Sequence, residues 1–238
     1  MSRNFIVLDT EGVNVGKPNP NNLGDNAKFY DFGFVVANRE GEILDKFSFV
    51  NTDVFNDYGL MSSAYYADKL PQYHEGIGDL WIPASTREIW DCFCKTAIQY
   101  DVRDVWAYNA QYDKSCTNFT IKCASNGFRR FFAPYGCKWR DIWDYAGSTI
   151  CNTSKYVKWC RDNGFISKSG NPSTTADTVG KYMRGSLEYQ ECHTALSDAE
   201  DETMILLAAM KRHQKARHSM GQGWRDSSKI AKQLRTTA

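Results

Sequence analysis

A chain of 238 residues, 42% hydrophobic and 14% aromatic, is long enough to bury the core of one α/β domain. It holds no apolar run of membrane-spanning length, and the apolar stretch at 5–8 is too short for a signal-peptide core, so we expect a cytoplasmic protein with no membrane partner. The net charge of +1 is unevenly placed: residues 211–238 hold eight basic side chains and one acid, for +7, which leaves −6 on the rest. An acidic body suits cations and a basic tail suits phosphates. We divide the chain accordingly into a folded body, residues 1–213, and a basic tail, residues 214–238.

Residues 5–9 form a short apolar run that ends on Asp9 and predicts a buried strand. The Asn/Pro/Gly-rich stretch 12–26 predicts a loop. A hairpin follows, with strands at 29–37 and 43–50 and a turn at 38–41. Residues 55–84 are aromatic and irregular. Their tyrosines suit either stacking on unpaired bases or packing against the sheet. Ser85 and Glu88 have capping-box spacing, and Ile89, Phe93, Ala97 and Tyr100 make the apolar stripe of the helix they open.

The next strand, 102–108, delivers Asn109 and Asp113 to its C-terminal end, ahead of a helix at 112–125 closed by Asn126-Gly127. A last strand is predicted at 131–139, then helices at 141–149 and 153–163, the second stopped by Gly164. Thr174 and Asp177 are candidate caps for a helix reaching Arg184. The final helix, 195–213, carries Leu196, Ala199, Thr203, Leu206, Leu207 and Met210 near the helical period. These elements make a mixed five-stranded β-sheet flanked by α-helices, and ligands bind at strand ends in such sheets. Eight cysteines without a CxxC pair are expected to be reduced thiols.

Three short contexts carry the chemistry. In Asp9-Thr10-Glu11, residues i and i+2 of a strand face the same way, so both carboxylates address one site. Asp113 falls in the first turn of a helix, where an anion is favoured. Asp198 falls in the first turn of the last helix, with His193 just before it, a group whose pKa suits taking a proton from water. Each alone is commonplace. Together, four hard oxygen donors and one near-neutral base suit two-metal phosphodiester chemistry.

The three segments, DTEG at 9–12, AYNAQYD at 107–113 and HTALSDAE at 193–200, resemble in order and separation the DEDD superfamily of 3′–5′ exonucleases. The likeness is to the DEDDh subclass of polymerase proofreading subunits, ribonuclease T and oligoribonuclease, within the ribonuclease H-like superfamily. It covers roughly residues 5–210, with Tyr112 where phenylalanine is common. The resemblance implies that Asp9, Glu11, Asp113 and Asp198 hold two divalent ions, Mg²⁺ or Mn²⁺, and that His193 takes the proton from the attacking water. It implies that Thr10 and Gly12 line the terminal nucleotide through their backbone, with Asn109 a supporting donor. The implied partners are the 3′ ends of single-stranded DNA or RNA, DNA being favoured, and by analogy a second copy or a polymerase. The implied products are nucleoside 5′-monophosphates. The competing expectation is a nucleic-acid-binding or polymerase-associated accessory protein of the same fold without turnover.

Overall fold

All four side chains from Phe5 to Leu8 are buried, as befits a strand covered on both faces. In the computed structural model, which describes residues 4–212, this run opens β1 (Phe5–Asn14), the centre of a mixed sheet. On one side lie β2 (Ala27–Ala37), antiparallel to β1, and then β3 (Ile43–Asn51), antiparallel to β2. After the short helices α1 (Thr52–Phe55), α2 (Tyr58–Met61) and α3 (Leu70–Gly76), the three-residue β4 (Ile82–Ala84) pairs parallel to β3. Then come α4 (Thr86–Gln99), β5 (Asp104–Ala107), α5 (Ala110–Ala124) and β6 (Lys138–Asp141). Four helices complete the order: α6 (Ile142–Ala146), which continues as a π-helical turn over Gly147–Cys151, α7 (Ser154–Asp162), α8 (Ala176–Arg184) and α9 (Ala195–Met210). The six strands run β4-β3-β2-β1-β5-β6.

The sheet therefore has six strands rather than the five expected. The added one is β4, an edge strand that tolerates Pro83 because an edge N–H needs no partner. The last strand lies at Lys138–Asp141 instead of 131–139. Phe132 leaves the sheet to fill the core beneath α4 and α5, and Pro134 and Gly136 keep the intervening chain irregular. The expected loop at 12–26 is also partly ordered. Gly12, Val13 and Asn14 continue β1 by pairing with Phe29, Lys28 and Ala27, and Leu23–Asn26 form a 3₁₀ turn. Residues 55–84 are short helices around a third core of Val13, Tyr30, Phe55, Met61, Tyr73 and Trp81.

The local start and stop signals mostly hold. Ser85 and Glu88 make both bonds of the capping box. At the end of α5, Asn126 N–H bonds Cys123 O and Gly127 N–H bonds Lys122 O, with Asn126 at φ 50°, a Schellman closure. Thr175, rather than Thr174, caps α8. The last helix ends at Met210, while His213 and the tail 214–238 lie outside the described residues.

Two layers cover the sheet. Ile6 and Leu8 face α4 and α5 with Phe29, Phe32, Phe34, Phe93 and Phe132. Phe5 and Val7 face α6 and α9 with Ile142, Tyr145, Ala199 and Leu206. Each buried phenylalanine contributes roughly 1.5–3 kcal/mol. The register between β1 and β2 slips after Glu11, where Asp31 and Phe29 oppose Glu11 and Gly12 and Tyr30 is left over. Such a bulge re-aims side chains at a functional edge. It puts Phe29 on the same face as Phe32 and turns Tyr30 toward the third core. Gly33 lets α9 rest directly on β2, since a Cβ there would lie 2.1 Å from Leu196 N. No helix among the described residues is long and apolar enough to cross a membrane.

Candidate active site

Strand β1 ends in two carboxylates two residues apart, and α9 begins beside it with a third. Alternation sends Asp9 and Glu11 to the α9 side of the sheet, while the Gly33 contact holds the first turn of α9, with Asp198, against β2. Asp9, Glu11 and Asp198 each offer an oxygen, and the three atoms lie within 4.8 Å of one another. Asp113 arrives from the opposite face, on the first turn of α5, where Thr10 Oγ1 donates to its Oδ1 at 2.8 Å. All eight residues expected at the site, Asp9, Thr10, Glu11, Gly12, Asn109, Asp113, His193 and Asp198, line one cleft of about 520 Å³.

His193 sits at φ 49°, a conformation a non-glycine residue holds only when its surroundings enforce it. Tyr66 stacks on its ring at 4.8 Å between centroids. Lys69 fixes the preceding turn by donating to the Cys192 carbonyl. The His193 Nδ1 lies 3.9 Å from Asp198 Oδ2, too far for a hydrogen bond but within ion-pair reach if protonated. Asn109, in the left-handed region at φ 60°, makes no cap with its side chain. Its N–H instead donates to Asp141 Oδ1, and the side chain remains at the cleft.

No protein-family model and no curated protein matches the sequence. Among solved structures, the chain is similar to E. coli Exonuclease I in complex with a dT13 oligonucleotide, at TM-score 0.56 and 14% identity. That match covers 89% of this chain and 42% of Exonuclease I, so the chain spans less than half that protein's length. It is also similar to cell-death related nuclease 4 (CRN-4), at TM-score 0.50 and 10% identity, over 97% of this chain and 76% of that one. The fold is ribonuclease H-like.

In this ribonuclease H-like frame the cleft crowds acidic side chains together, and each makes ionisation of the next harder. Among the described residues, no lysine or arginine lines the cleft. Burial pushes Asp9 well above the usual carboxylate range, and the Asp113 charge adds most to that. Burial, then Asp31, pushes Glu11 up to about 9. Burial raises Asp113 to about 7 against the pull of the Thr10 hydroxyl. Burial and then Asp201 raise Asp198 to about 7, with Lys69 opposing. Asp198 Oδ1 is buried with no hydrogen-bond partner among the described residues. Hard, mutually repelling oxygens, one of them orphaned, are a donor set a divalent cation would satisfy. Burial and then Lys69 hold His193 below its usual range, which keeps the imidazole neutral near pH 7.

Several site residues were missed in the sequence. Glu202 lines the same cleft, buried, and accepts from Tyr108 N–H at 3.1 Å. Burial and the Asp113 charge raise it well above the carboxylate range. Its spacing of four from Asp198 on one helix face was the available signal. Asp31 is wholly buried and accepts from Tyr73 OH at 2.7 Å and from Ala195 N–H at 2.9 Å, tying β2 to the start of α9. Glu191 also lines the cleft. The aromatic segment divides: Tyr73 and Trp81 pack in the third core, while Tyr65 and Tyr66 reach the cleft.

Proposed function

We propose that the protein is a metal-dependent 3′–5′ exonuclease that trims single-stranded nucleic acid and releases nucleoside 5′-monophosphates. The observation that carries this is the three-carboxylate cluster of Asp9, Glu11 and Asp198, with Asp113 and a neutral His193 in the same cleft. The four carboxylates would hold two divalent ions, Mg²⁺ or Mn²⁺. When bound, such ions supply Lewis acidity to a phosphoryl group and neutralise its charge.

The chain's own residues do the rest. His193, held by Tyr66 and neutral near pH 7, accepts the proton from the attacking water at a ring nitrogen. Thr10 holds Asp113 in place through its hydroxyl, and its backbone with that of Gly12 lines the space for the terminal nucleotide. The Asn109 amide is free of capping duty and can donate to the substrate. All of these groups come from one chain, so the chemistry calls for neither a second copy nor a polymerase. A purely binding protein of this fold would bear the cost of burying these acids without using them, and like charges in its cleft would repel phosphate. That Exonuclease I was seen with a dT13 oligonucleotide favours a single strand as substrate and DNA as the first polymer to test.

The test is incubation of 5′-labelled single strands of DNA and of RNA with Mg²⁺ or Mn²⁺. A ladder shortening from the 3′ end is expected. Failure to shorten either polymer with either metal would remove the enzymatic reading.

A further inference from the structure

On the other side of α5 from the cleft, residues 125–137 between α5 and β6 wall a second groove of about 550 Å³. We propose that this groove is a track for a single-stranded polynucleotide, holding the nucleotides that precede the 3′ end in the acidic cleft. The direction of the strand rests on the nuclease reading above; the choice of occupant rests on the groove's own chemistry.

The loop is anchored at its middle. The Phe132 ring is wholly buried, 5.2 Å from Phe32 and 5.1 Å from Phe93 between centroids. Its N–H donates to Asn118 Oδ1 at 2.8 Å, and its carbonyl accepts from Trp90 Nε1 at 2.9 Å. With that residue pinned on three sides, its neighbours are held outward. Phe128 is 94% exposed, Phe131 72%, and Tyr135 fully. Three large rings left in water on one short, fixed loop gain nothing for the fold, and such a patch marks an interaction surface.

Charge selects among the occupants an aromatic surface would take. Lys114, Arg129 and Arg130 line the groove and, among the described residues, no carboxylate does, the reverse of the cleft. Arg129 lies over the Trp90 ring at 3.7 Å, leaving its edge for a phosphate. Rings that stack on bases, interleaved with cations that meet the backbone, make the combination that recognises unpaired nucleic acid. A duplex would keep its bases stacked inside and offer the rings nothing. The groove and the cleft share α5 as a common wall. Within one turn of α5, Tyr112 and Asp113 line the cleft while Lys114 lines the groove.

The test compares binding of oligothymidylates of about 4 and about 16 nucleotides, the range of known single-strand footprints, with oligouridylates of equal length as a second arm. All are measured in EDTA so that no strand is shortened. The wild type is expected to prefer the longer strand. Changing Phe128→Ala, Phe131→Ala and Tyr135→Ala together should weaken long-strand binding by about tenfold or more and bring it near the short-strand value. Because these rings are exposed, the variant should melt as the wild type does. Should it melt early, Arg130→Glu decides: it should lower the slope of log affinity against log salt by about 0.7.

Wild-type affinity for the long strand in the triple variant would overturn the proposal, as would an unchanged salt slope in Arg130→Glu. So would a wild type indifferent to length, or an equal loss for a duplex of the same length. Binding through this loop without any shortening in Mg²⁺ or Mn²⁺ would overturn only the nuclease reading. Shortening with long-strand affinity indifferent to the loop would overturn only the track.

Discussion

Replacing Thr10 with valine removes a hydroxyl and keeps the shape of a strand residue. The bond at stake, Oγ1 to Asp113 Oδ1 at 2.8 Å, lies between side chains 3% and 1% exposed, so water has no room to replace the donor. A hydrogen bond to a charged acceptor contributes about 1.5–3 kcal/mol. For a domain of this size, that lowers the melting temperature by roughly 3–10 °C at a pH well above the value of about 7 at which Asp113 ionises. If Asp113 holds metal, a freed carboxylate should also cost about 10–100-fold in cation affinity, the usual effect of losing a partner that orients a ligand. Calorimetry reads both, as a melt without metal and a Mn²⁺ titration. Wild-type Mn²⁺ affinity in Thr10→Val would refute the reasoning, because it would mean that the hydroxyl serves the fold and not the metal site.

Three further predictions follow from the same geometry. Asp198→Asn should reduce cleavage by orders of magnitude yet leave the metal-free melting temperature unchanged or higher, because one of several mutually repelling buried charges is gone; a markedly lower one in a thermal melt would contradict this. Gly33→Ala should destabilise by about 1–3 kcal/mol or more and weaken Mn²⁺ binding, since its Cβ would displace the turn that carries Asp198, 2.1 Å from Leu196 N; chemical denaturation beside a Mn²⁺ titration checks it, and wild-type values would refute it. Asp141 titrates near 6 in the fold against 3.8 free, pushed up by burial and then by Asp144, with its Oδ2 unpartnered among the described residues. Its stabilising contribution is fully present below pH 3.8 and is lost as pH rises through 6. Asp141→Asn keeps an oxygen for the Asn109 and Trp143 N–H groups. It should therefore gain up to about 3 kcal/mol at about pH 8 and little at about pH 4, with denaturation at both pH values as the check.

How much was legible depended on whether the signal was local. Ser85 with Glu88, Asn126-Gly127 and the alternating phenylalanines of the hairpin are instructions read within a few residues, and the structure follows them. Phe131-Phe132 misled because an apolar pair with β propensity is also what fills a gap between helices, and only the space beneath α4 and α5 decides which. β4 was illegible for the opposite reason: three residues containing a proline have no periodicity, and an existing edge of β3 recruits them. Glu202 was overlooked in a run of acids because burial, not identity, separates it from its half-buried neighbours Glu200 and Asp201 on α9.

By itself, the sequence determined the order of β1–β3, α4, β5, α5 and α9, the faces of β1 and α9, and the five side chains on which the proposed chemistry rests. Those depend on spacing of two in a strand and near four in a helix, which a chain carries from the start. The tertiary structure alone decided that Asp9, Glu11 and Asp198 come within 4.8 Å, that Thr10 turns to Asp113, and that Tyr66 stacks on His193. It also decided that three rings of the 125–137 loop face water beside Lys114, Arg129 and Arg130. Each of those is a meeting of residues far apart in the chain, and only packing against a shared core sets such distances.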